Sequence, residues 1–268
     1  MPLIPGILAS ALISKTLAPV AGYNLWLDAA DASTFTYSSG SVVSQWTDKS
    51  ANGYTFTQST VANQPTRTGT QNGKSTLVFD GSNDVLASTA ASSVWKFLHD
   101  GSGATAFVVA KQTRTTTFTN NRVLATVNYG TTSEIGVVVG LNTVSPATQI
   151  ARSTVVVSGA SPSLSNTFFD STYATSHAVQ SIVFDESNAT DTNREIQYLN
   201  NGSANLANTN TFAPSSSNPT ATLQLGNDGV NYAPLQGEIA EIIIYPSILS
   251  DTNRNAVISY LMFKWGIS

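Results

Sequence analysis

The chain has 268 residues, of which 41% are hydrophobic, so it is long enough to bury a substantial core in one large domain or two small ones. Charged residues make up only 10% and the net charge is -4, which leaves no basic surface for nucleic acid. The absence of cysteine excludes disulfides, thiolate metal sites and cysteine nucleophiles. No apolar run reaches the roughly 18 residues of a membrane span, so no membrane partner is predicted.

The first 22 residues are apolar and almost uncharged, unlike the rest of the chain. They fit a signal peptide badly, because no positive residue precedes the apolar part and Pro2 and Pro5 interrupt it. A first strand or short helix is one alternative. We favour an ordered arm, residues 1–22, that docks onto another protein or subunit, since an apolar segment needs something to cover it. The candidate docking residues are its large aliphatic side chains, Leu3, Ile4, Ile7, Leu8, Leu12 and Ile13.

From residue 23 onward, short runs rich in Val, Ile, Phe, Tyr and Thr alternate with Gly, Asn, Ser or Pro clusters, which predicts β-strands. An Asn-Gly pair at 201–202 follows an alternating run and indicates a hairpin. Many short strands joined by loops favour a sandwich, and no linker divides residues 23–268. The predicted strands are 23–28, 54–58, 76–80, 104–111, 122–128, 134–140, 153–158, 179–186, 195–200, 221–226 and 238–245.

One helix is predicted near the C-terminus, with a second, short one over 93–98. The first begins after Ser250, which is a good N-cap, and ends at Gly266. Its periodicity places one apolar face toward the core. That face consists of Val257, Tyr260, Leu261 and Trp265.

Signs of catalysis are sparse in this sequence. The two histidines, His99 and His177, are isolated and match no metal-ligand spacing. A glycosidase needs two carboxyl groups that face each other across the scissile bond. Glu238 and Glu241 are three residues apart, so a regular strand would direct them to opposite faces. The sequence therefore predicts a protein that is not an enzyme.

Oxygen-rich loops provide a candidate calcium site. Asp80, Asn83 and Asp84 lie together in the segment DGSND, and calcium takes six to eight oxygen ligands. The alternative is that these side chains only bond their own backbone in Asx turns, and the loop lacks the spaced ligands of an EF-hand. No cofactor is required by this interpretation, and calcium remains a candidate.

Aromatic rings beside polar loops are the usual elements of a sugar site, because a ring supports the sugar face while Asn and Asp bond its hydroxyls. Trp26 and Trp265 lie on periodic apolar faces and are assigned to the core. The candidate glycan-binding residues are Trp46, Tyr129, Tyr173, Asn227, Asp228 and Tyr232.

Several segments resemble the concanavalin A-like lectin/glucanase superfamily. The segments LWLDAADASTFTYSSGSVVSQWTDKSANGYTFTQ (25–58), NQPTR (63–67) and GKSTLVFDGSNDVL (73–86) look like its opening. LQLGNDGVNYAPLQGEIAEIIIYPSILSDTNRNAVISYLMFKWGI (223–267) looks like the end of its laminin-G-like bacterial and phage members. The resemblance implies an all-β, antiparallel two-sheet jelly-roll sandwich over 23–268 that often binds glycans, sometimes with calcium. The glutamate pair of its hydrolytic members is absent here.

The arm itself resembles the short N-terminal segments of some tailed-phage virion proteins, through IPGILASALISKTLAP. Together these features predict a non-enzymatic bacteriophage virion surface protein, either a head decoration or fibre protein or a tail appendage. Its expected partners are capsid or tail proteins and host-surface glycans, and a homo-trimer would strengthen weak glycan binding. A secreted or surface lectin-like module is the alternative, and a polysaccharide hydrolase is third.

Overall fold

A computed structural model of the chain describes residues 19–116, 121–128, 134–145, 148–156, 176–206, 213–228 and 233–268. Within these ranges the protein is mostly β structure, with one α-helix, α1 (Asp251–Trp265), and short 3₁₀ helices such as Ser92–Leu98. The strands are β1 (Leu25–Asp28), β2 (Phe35–Ser39), β3 (Val42–Thr47), β4 (Thr55–Thr57), β5 (Thr66–Gln71), β6 (Lys74–Asp80), β7 (Leu86–Ser88), β8 (Ala104–Gln112), β9 (Arg122–Ala125), β10 (Gly136–Ser145), β11 (Thr148–Val156), β12 (Ala178–Phe184), β13 (Glu195–Leu199), β14 (Asn205–Leu206), β15 (Gln224–Leu225) and β16 (Gln236–Tyr245).

The strands form one curled antiparallel sheet. Its hydrogen-bonded path runs β11-β10-β9-β15-β7-β4-β3-β5-β6-β16-β8-β12-β13-β14, with β1 beside β16 and β2 beside β3. Near the two ends of this path, Gln197 of β13 donates a hydrogen bond from Nε2 to Ser153 Oγ of β11. The sheet therefore curls until its ends meet across the interior. The all-β class with a C-terminal helix is confirmed, whereas the predicted division into two separate sheets is not evident.

The two faces of the sheet bury different clusters. Strand β8 shows the alternation, because Ala106 and Val108 enter the main core inside the curl, whereas Phe107 and Val109 pack with α1 on the outer face. Both sets are buried, since α1 covers the outer face here. This explains why β8 reads as a continuous apolar run instead of an alternating one.

Each of the eleven predicted strands overlaps an observed strand. Strands β2, β3, β5, β7 and β14 were not predicted. Strands β7 and β14 are short, and β2 and β5 are rich in Ser, Thr or Gly. Strand β14 pairs antiparallel with β13, which confirms the hairpin. Its turn differs from the prediction, since the residue with positive φ is Asn200 at 50° and not the Asn-Gly pair that follows.

Helix α1 begins and ends where the sequence predicts. The Ser250 side chain accepts a hydrogen bond from the Asn253 amide at 3.3 Å, and Gly266 ends the helix with a left-handed φ of 61°. The predicted apolar face is buried in the outer cluster. In the part of the chain that the structure describes, no helix is long and apolar enough to cross a membrane.

Residues 19–22, assigned from the sequence to the arm, contact the β domain at two points. Tyr245 donates a hydrogen bond from its hydroxyl to the Val20 carbonyl at 2.6 Å. The Val20 side chain also packs against the cluster beneath α1. The candidate docking residues Leu3, Ile4, Ile7, Leu8, Leu12 and Ile13 lie outside the described residues.

Candidate functional site

A bulge in β16 places two glutamates on the same face of the sheet. The register with β8 shifts between Ile239 and Glu241, so Ala240 is the extra residue. Ile239 and Ile242 face the inner core, while Ala240 packs on the α1 side. Glu238 pairs with Lys111, which lies two residues from Val109 on β8 and therefore on the α1 side of the sheet. The sequence-based prediction that Glu238 and Glu241 face opposite sides is therefore wrong, because it assumed a regular strand.

Glu241 lies fully buried beneath α1, and four donors bind its carboxylate. Its Oε1 accepts from the Trp26 indole at 2.7 Å and from the Tyr260 hydroxyl at 2.9 Å. Its Oε2 accepts from the Trp265 indole at 2.6 Å and from the Lys264 ammonium at 2.7 Å. Burial raises the pKa of Glu241, and the Lys264 charge opposes that shift. The group anchors α1 to the sheet.

Lys264 extends this network to a second buried carboxylate. Its Nζ lies 2.7 Å from Asp28 Oδ1, and Asp28 Oδ2 lies 3.0 Å from Lys49 Nζ. Lys49 also pairs with Asp31 at 2.8 Å, and this contact holds the pKa of Asp31 down at about 2. We name these residues, with Glu241 and its donors, the α1 anchor. Its charges and donors satisfy one another, which is what a buried ionic network requires for stability.

A cavity of about 490 Å³ opens on the same outer face, beyond the C-terminal end of α1. That volume lies within the range of small-ligand sites. Five separate parts of the chain meet there, namely the ends of β5, β8 and β13, the start of β12 and the residues after α1. The lining residues are Gln71, Lys111, Ser176, His177, Ala178, Leu199, Asn200, Gly266, Ile267 and Ser268.

The hairpin turn between β5 and β6 joins this cavity to α1. Gln71 Nε2 donates to the Trp265 carbonyl at 2.8 Å, and Asn72 Nδ2 donates to the Lys264 carbonyl at 3.1 Å. These bonds satisfy carbonyls in the last turn of α1, which have no partner within the helix. A Cβ on Gly266 would lie 2.9 Å from Asn72, so glycine is needed there for space as well as for its φ.

Two asparagines at the cavity adopt a left-handed backbone conformation. Asn72 has a φ of 48° and Asn200 a φ of 50°, and no other non-glycine residue in the described ranges has a positive φ. Asparagine tolerates this region better than most residues, and both occupy hairpin turns. The Asn200 Oδ1 accepts from the Val179 amide at 2.9 Å, which fixes the side chain and leaves its NH₂ group as a donor.

The His177 ring lies beneath the cavity, between Gln71 and Glu238. The Gln71 NH₂ group donates to the Trp265 carbonyl, so Gln71 Oε1 is the atom that faces His177 Nδ1, at 3.0 Å. An oxygen can only accept here, so Nδ1 must carry the proton. In a neutral ring Nε2 is then an acceptor, and it lies 3.5 Å from Glu238 Oε2. Within the described part of the chain no donor reaches Nε2. Burial lowers the pKa of His177 to about 4, despite the opposing Glu238 charge.

The Glu238 carboxylate is held by two donors and is not among the lining residues of the cavity. Its Oε1 lies 2.8 Å from Lys111 Nζ, and its Oε2 accepts from the Thr76 hydroxyl at 2.6 Å. None of the described residues that line the cavity is Asp or Glu. The arrangement offers amide, hydroxyl and ammonium groups for hydrogen bonding, and it does not present a pair of carboxyl groups for acid–base chemistry.

The structure places the sequence-predicted glycan residues elsewhere. Trp46 is fully buried, with its ring stacked 5.0 Å from that of Phe35, so neither face is open to a sugar. Asn227 and Asp228 are also fully buried, and the Asp228 amide donates to Asn227 Oδ1 at 2.8 Å. The other three, Tyr129, Tyr173 and Tyr232, lie outside the described residues.

Two carboxylate oxygens of the candidate calcium loop accept hydrogen bonds from the loop's own backbone. Asp84 Oδ2 accepts from the Asp80 amide at 2.9 Å, and Asp80 Oδ1 accepts from the Ser82 amide at 2.7 Å. Asn83 donates to Asn63 Oδ1 at 2.9 Å. Across the described ranges, no group of three or more His, Cys, Asp or Glu residues is placed to hold a metal. Calcium at this loop stays a prediction, which thermal unfolding with and without calcium would test.

Sequence reasoning missed Gln71, Lys111 and Asn200, and it assigned His177 no role. A signal for part of this site was present, because Asn72-Gly73 is a strong hairpin pair that follows an alternating run. Nothing in the local sequence shows that this turn contacts the end of α1, which lies at the other end of the chain.

The chain matches no protein-family model and no curated protein sequence. Solved structures share its fold. A sialidase of Trypanosoma rangeli in complex with sialic acid aligns with a TM-score of 0.56 at 14% identity, over 92% of this chain and 34% of the sialidase. The binding domain of botulinum neurotoxin serotype G aligns with a TM-score of 0.57 at 14% identity, over 89% of this chain and 51% of its own.

An arabinofuranosidase complexed with arabinofuranosyl-alpha-1,2-xylobiose aligns with a TM-score of 0.55 at 13% identity, over 84% of this chain and 51% of the enzyme. This chain thus spans between a third and about half of these structures. At such identities the likeness shows a shared fold and nothing about activity.

Proposed function

We propose that this β domain binds carbohydrate without cleaving it, and that the cavity beyond α1 is its binding site. The observation that carries the proposal is the cavity's lining, which combines Asn200, Ser176 and Lys111 as hydrogen-bonding groups and contains no Asp or Glu among the described residues. Sugar hydroxyls both donate and accept, so amide and hydroxyl side chains suit them. Leu199 and Ile267 provide the apolar part of the lining.

The fold comparisons support this proposal from a second direction. Two of the solved structures that share the fold hold sugars, the sialidase with sialic acid and the arabinofuranosidase with arabinofuranosyl-alpha-1,2-xylobiose. The concanavalin A-like jelly roll that the sequence predicts is compatible with the curled antiparallel sheet. Because one fold serves many functions, the cavity carries more weight than the likeness.

Binding is proposed in preference to hydrolysis because of where the glutamates lie. Glu241 is closed off beneath α1, and Glu238 is paired with Lys111 and Thr76. A glycosidase needs two carboxyl groups roughly 5 to 10 Å apart that both reach the glycosidic bond. No such pair faces the cavity in the part of the chain that the structure describes.

The wider role predicted from the sequence remains a prediction. On that hypothesis residues 1–22 attach the domain to the capsid or tail proteins of a phage virion, and a trimer multiplies a weak affinity for host-surface glycans. The alternative, a secreted or surface lectin-like module, would use the same cavity without the arm. Deleting residues 1–18 and measuring oligomeric state and glycan binding separates the contribution of the arm from that of the site.

The test of binding is a glycan array with the full chain, followed by titration calorimetry on the best ligand. The informative variant is Asn200→Asp, which keeps the oxygen that accepts from Val179 and replaces the amide donor. We expect at least a tenfold loss of affinity. Asn218→Asp is the matched control, since Asn218 is an exposed residue that is absent from the lining.

Two results would contradict the proposal. The first is unchanged affinity in Asn200→Asp, which would move the site elsewhere on the domain. The second is release of reducing sugar that Glu238→Gln abolishes, which would make the protein a hydrolase.

A further inference from the structure

Among the described residues that line the cavity, Lys111 has the one side chain that is cationic at neutral pH, and it is already paired. Lys111 Nζ lies 2.8 Å from Glu238 Oε1, and both side chains are mostly buried, with 21% and 13% exposed. At this distance and burial the two charges largely cancel in the field that a ligand experiences. The ammonium has three donors, however, and two of them are not directed at Glu238 Oε1.

The second ionisable group of the lining adds no charge at neutral pH. The groups that face His177 are Glu238 on β16, Lys111 on β8 and Gln71 on β5. The bond from Nδ1 to Gln71 fits a neutral ring, and burial favours the same form. The other lining side chains among the described residues are uncharged, so with the paired Lys111 and Glu238 the site is polar and has no net side-chain charge.

We infer that the cavity selects uncharged sugars and discriminates against carboxylated ones. This inference rests on the proposed function and names the class of its ligand. A sugar carboxylate entering the cavity would lose hydration without gaining a cation, unless Lys111 left Glu238. A hydroxyl needs no such exchange, because it accepts from a remaining Lys111 donor or from the Asn200 amide. The loss of one hydrogen bond only weakens the binding of a sugar, whereas a buried charge without a partner costs much more binding free energy.

The experiment compares neutral oligosaccharides with the same oligosaccharides carrying a uronic acid at the non-reducing end. The members of the first pair end in galactose or galacturonate, and those of the second pair end in glucose or glucuronate. The two oligosaccharides of a pair have equal length. For the unmodified chain we expect at least tenfold tighter binding of the neutral member of a pair. The neutral affinity should change little between low and high salt, because no net charge is matched.

Glu238→Gln tests the cause of this selectivity. The glutamine keeps an oxygen for Lys111 and brings an amide donor to His177 Nε2, while it releases the Lys111 charge. We expect the preference to shift toward the uronic acid member by tenfold or more. Asp251→Asn is the matched control, since it changes the same charge on a side chain that is 83% exposed at the opposite end of α1.

The outcomes separate the two proposals. If neither member of any pair binds, the proposed function fails and takes this inference with it. If the uronic acid binds as well as the neutral sugar, or better, in the unmodified chain, only the inference is overturned. An unchanged ratio in a folded Glu238→Gln variant also overturns it. Should that variant not fold, strong weakening of neutral-sugar binding by salt in the unmodified chain is the result that decides against the inference.

Discussion

Two glutamates on β16 (Gln236–Tyr245) occupy the same face of one strand and have different environments. Glu241 has four donors and no exposed surface, because α1 (Asp251–Trp265) lies over it. Glu238 has two donors and faces a histidine nitrogen that has no donor to offer. The difference follows from the length of α1, which ends at Gly266 before it covers Glu238.

This comparison separates a structural network from a candidate binding site. In the α1 anchor the indole and hydroxyl donors all bind the Glu241 carboxylate, so they are not available to bind a ligand. Beyond the end of α1 the same sheet face carries polar groups with spare donors and a cavity beside them. Incomplete pairing next to open volume, and not the mere presence of a buried glutamate, indicates a site.

The largest expected effect comes from Glu241→Gln. A glutamine amide would direct its NH₂ group at two donors, and the Lys264 charge would lose a partner. We expect a loss of about 3–5 kcal/mol in the free energy of unfolding, measured by chemical denaturation, as for a broken buried ion pair. Glu238→Gln is the matched control three residues away.

For Glu238→Gln we expect about 1 kcal/mol or less, because its pair with Lys111 is partly hydrated and the new amide gains His177 Nε2. Equal losses in the two glutamine variants would remove the distinction between the two regions.

The next effect concerns the lysines that pair with these glutamates. Lys264→Met leaves Asp28 and Glu241 as two buried carboxylates without their shared cation. We expect a loss of about 3 kcal/mol in unfolding free energy by denaturant titration. Lys111→Met should cost about 1 kcal/mol or less, since Thr76 and water at the cavity still serve Glu238. A larger loss in Lys111→Met than in Lys264→Met would reverse the assignment of structural and binding regions.

The pH dependence of stability probes the unpaired side of the comparison. The pKa of His177 is lowered to about 4 in the folded protein from 6.5, so between those values the unfolded chain binds more protons. The stability that this group contributes is present above pH 6.5 and is lost as pH falls toward 4. From pH 7 to 5 the expected loss is about 2 kcal/mol, measured by denaturation at each pH.

Other groups titrate in the same window, so His177→Gln is needed as the reference. The pKa of Asp84 is raised to about 6 by burial, and this carboxyl stabilises the fold as pH falls, opposite to His177. Burial also lowers the pKa of His99, which acts in the same direction as His177. Both remain in the His177→Gln variant, so the difference between the two pH curves isolates His177. Parallel curves would mean that folding leaves the pKa of His177 unchanged.

Local sequence rules were sufficient for much of the fold. The caps Ser250 and Gly266 gave α1 its ends, and alternating β-branched residues gave most strands. The bulge at Ala240 was hidden, because the run Ile242, Ile243 and Ile244 is apolar on both faces and masks the change in period. The shift is visible only in the spacing of the inner-facing Ile239 and Ile242, which are three residues apart.

The candidate site was harder to predict than the fold for a physical reason. Gln71, Lys111, His177 and Asn200 each end or precede a different strand, and the curl of the sheet brings them together. Aromatic rings beside polar turns suggested Trp46, but packing on Phe35 absorbs that ring into the core. Sequence spacing carries the period of one strand, and it carries no information about which strand ends meet.

A smaller effect than those of Glu241→Gln and Lys264→Met tests the turn that links the two regions. Asn72 satisfies a carbonyl of the last turn of α1 with its side chain and adopts a positive φ. Asn72→Ala loses both features, for an expected cost of about 1–2 kcal/mol, while Asn72→Gly loses only the hydrogen bond and should cost roughly half as much. Thermal unfolding of the two variants measures the difference.

If the turn also shapes the cavity, glycan affinity should fall in the alanine variant more than in the glycine variant, because only alanine strains the backbone next to Gln71. Equal affinities in both variants would confine the role of Asn72 to capping α1, and the cavity would then depend on Asn200 alone among the two left-handed asparagines.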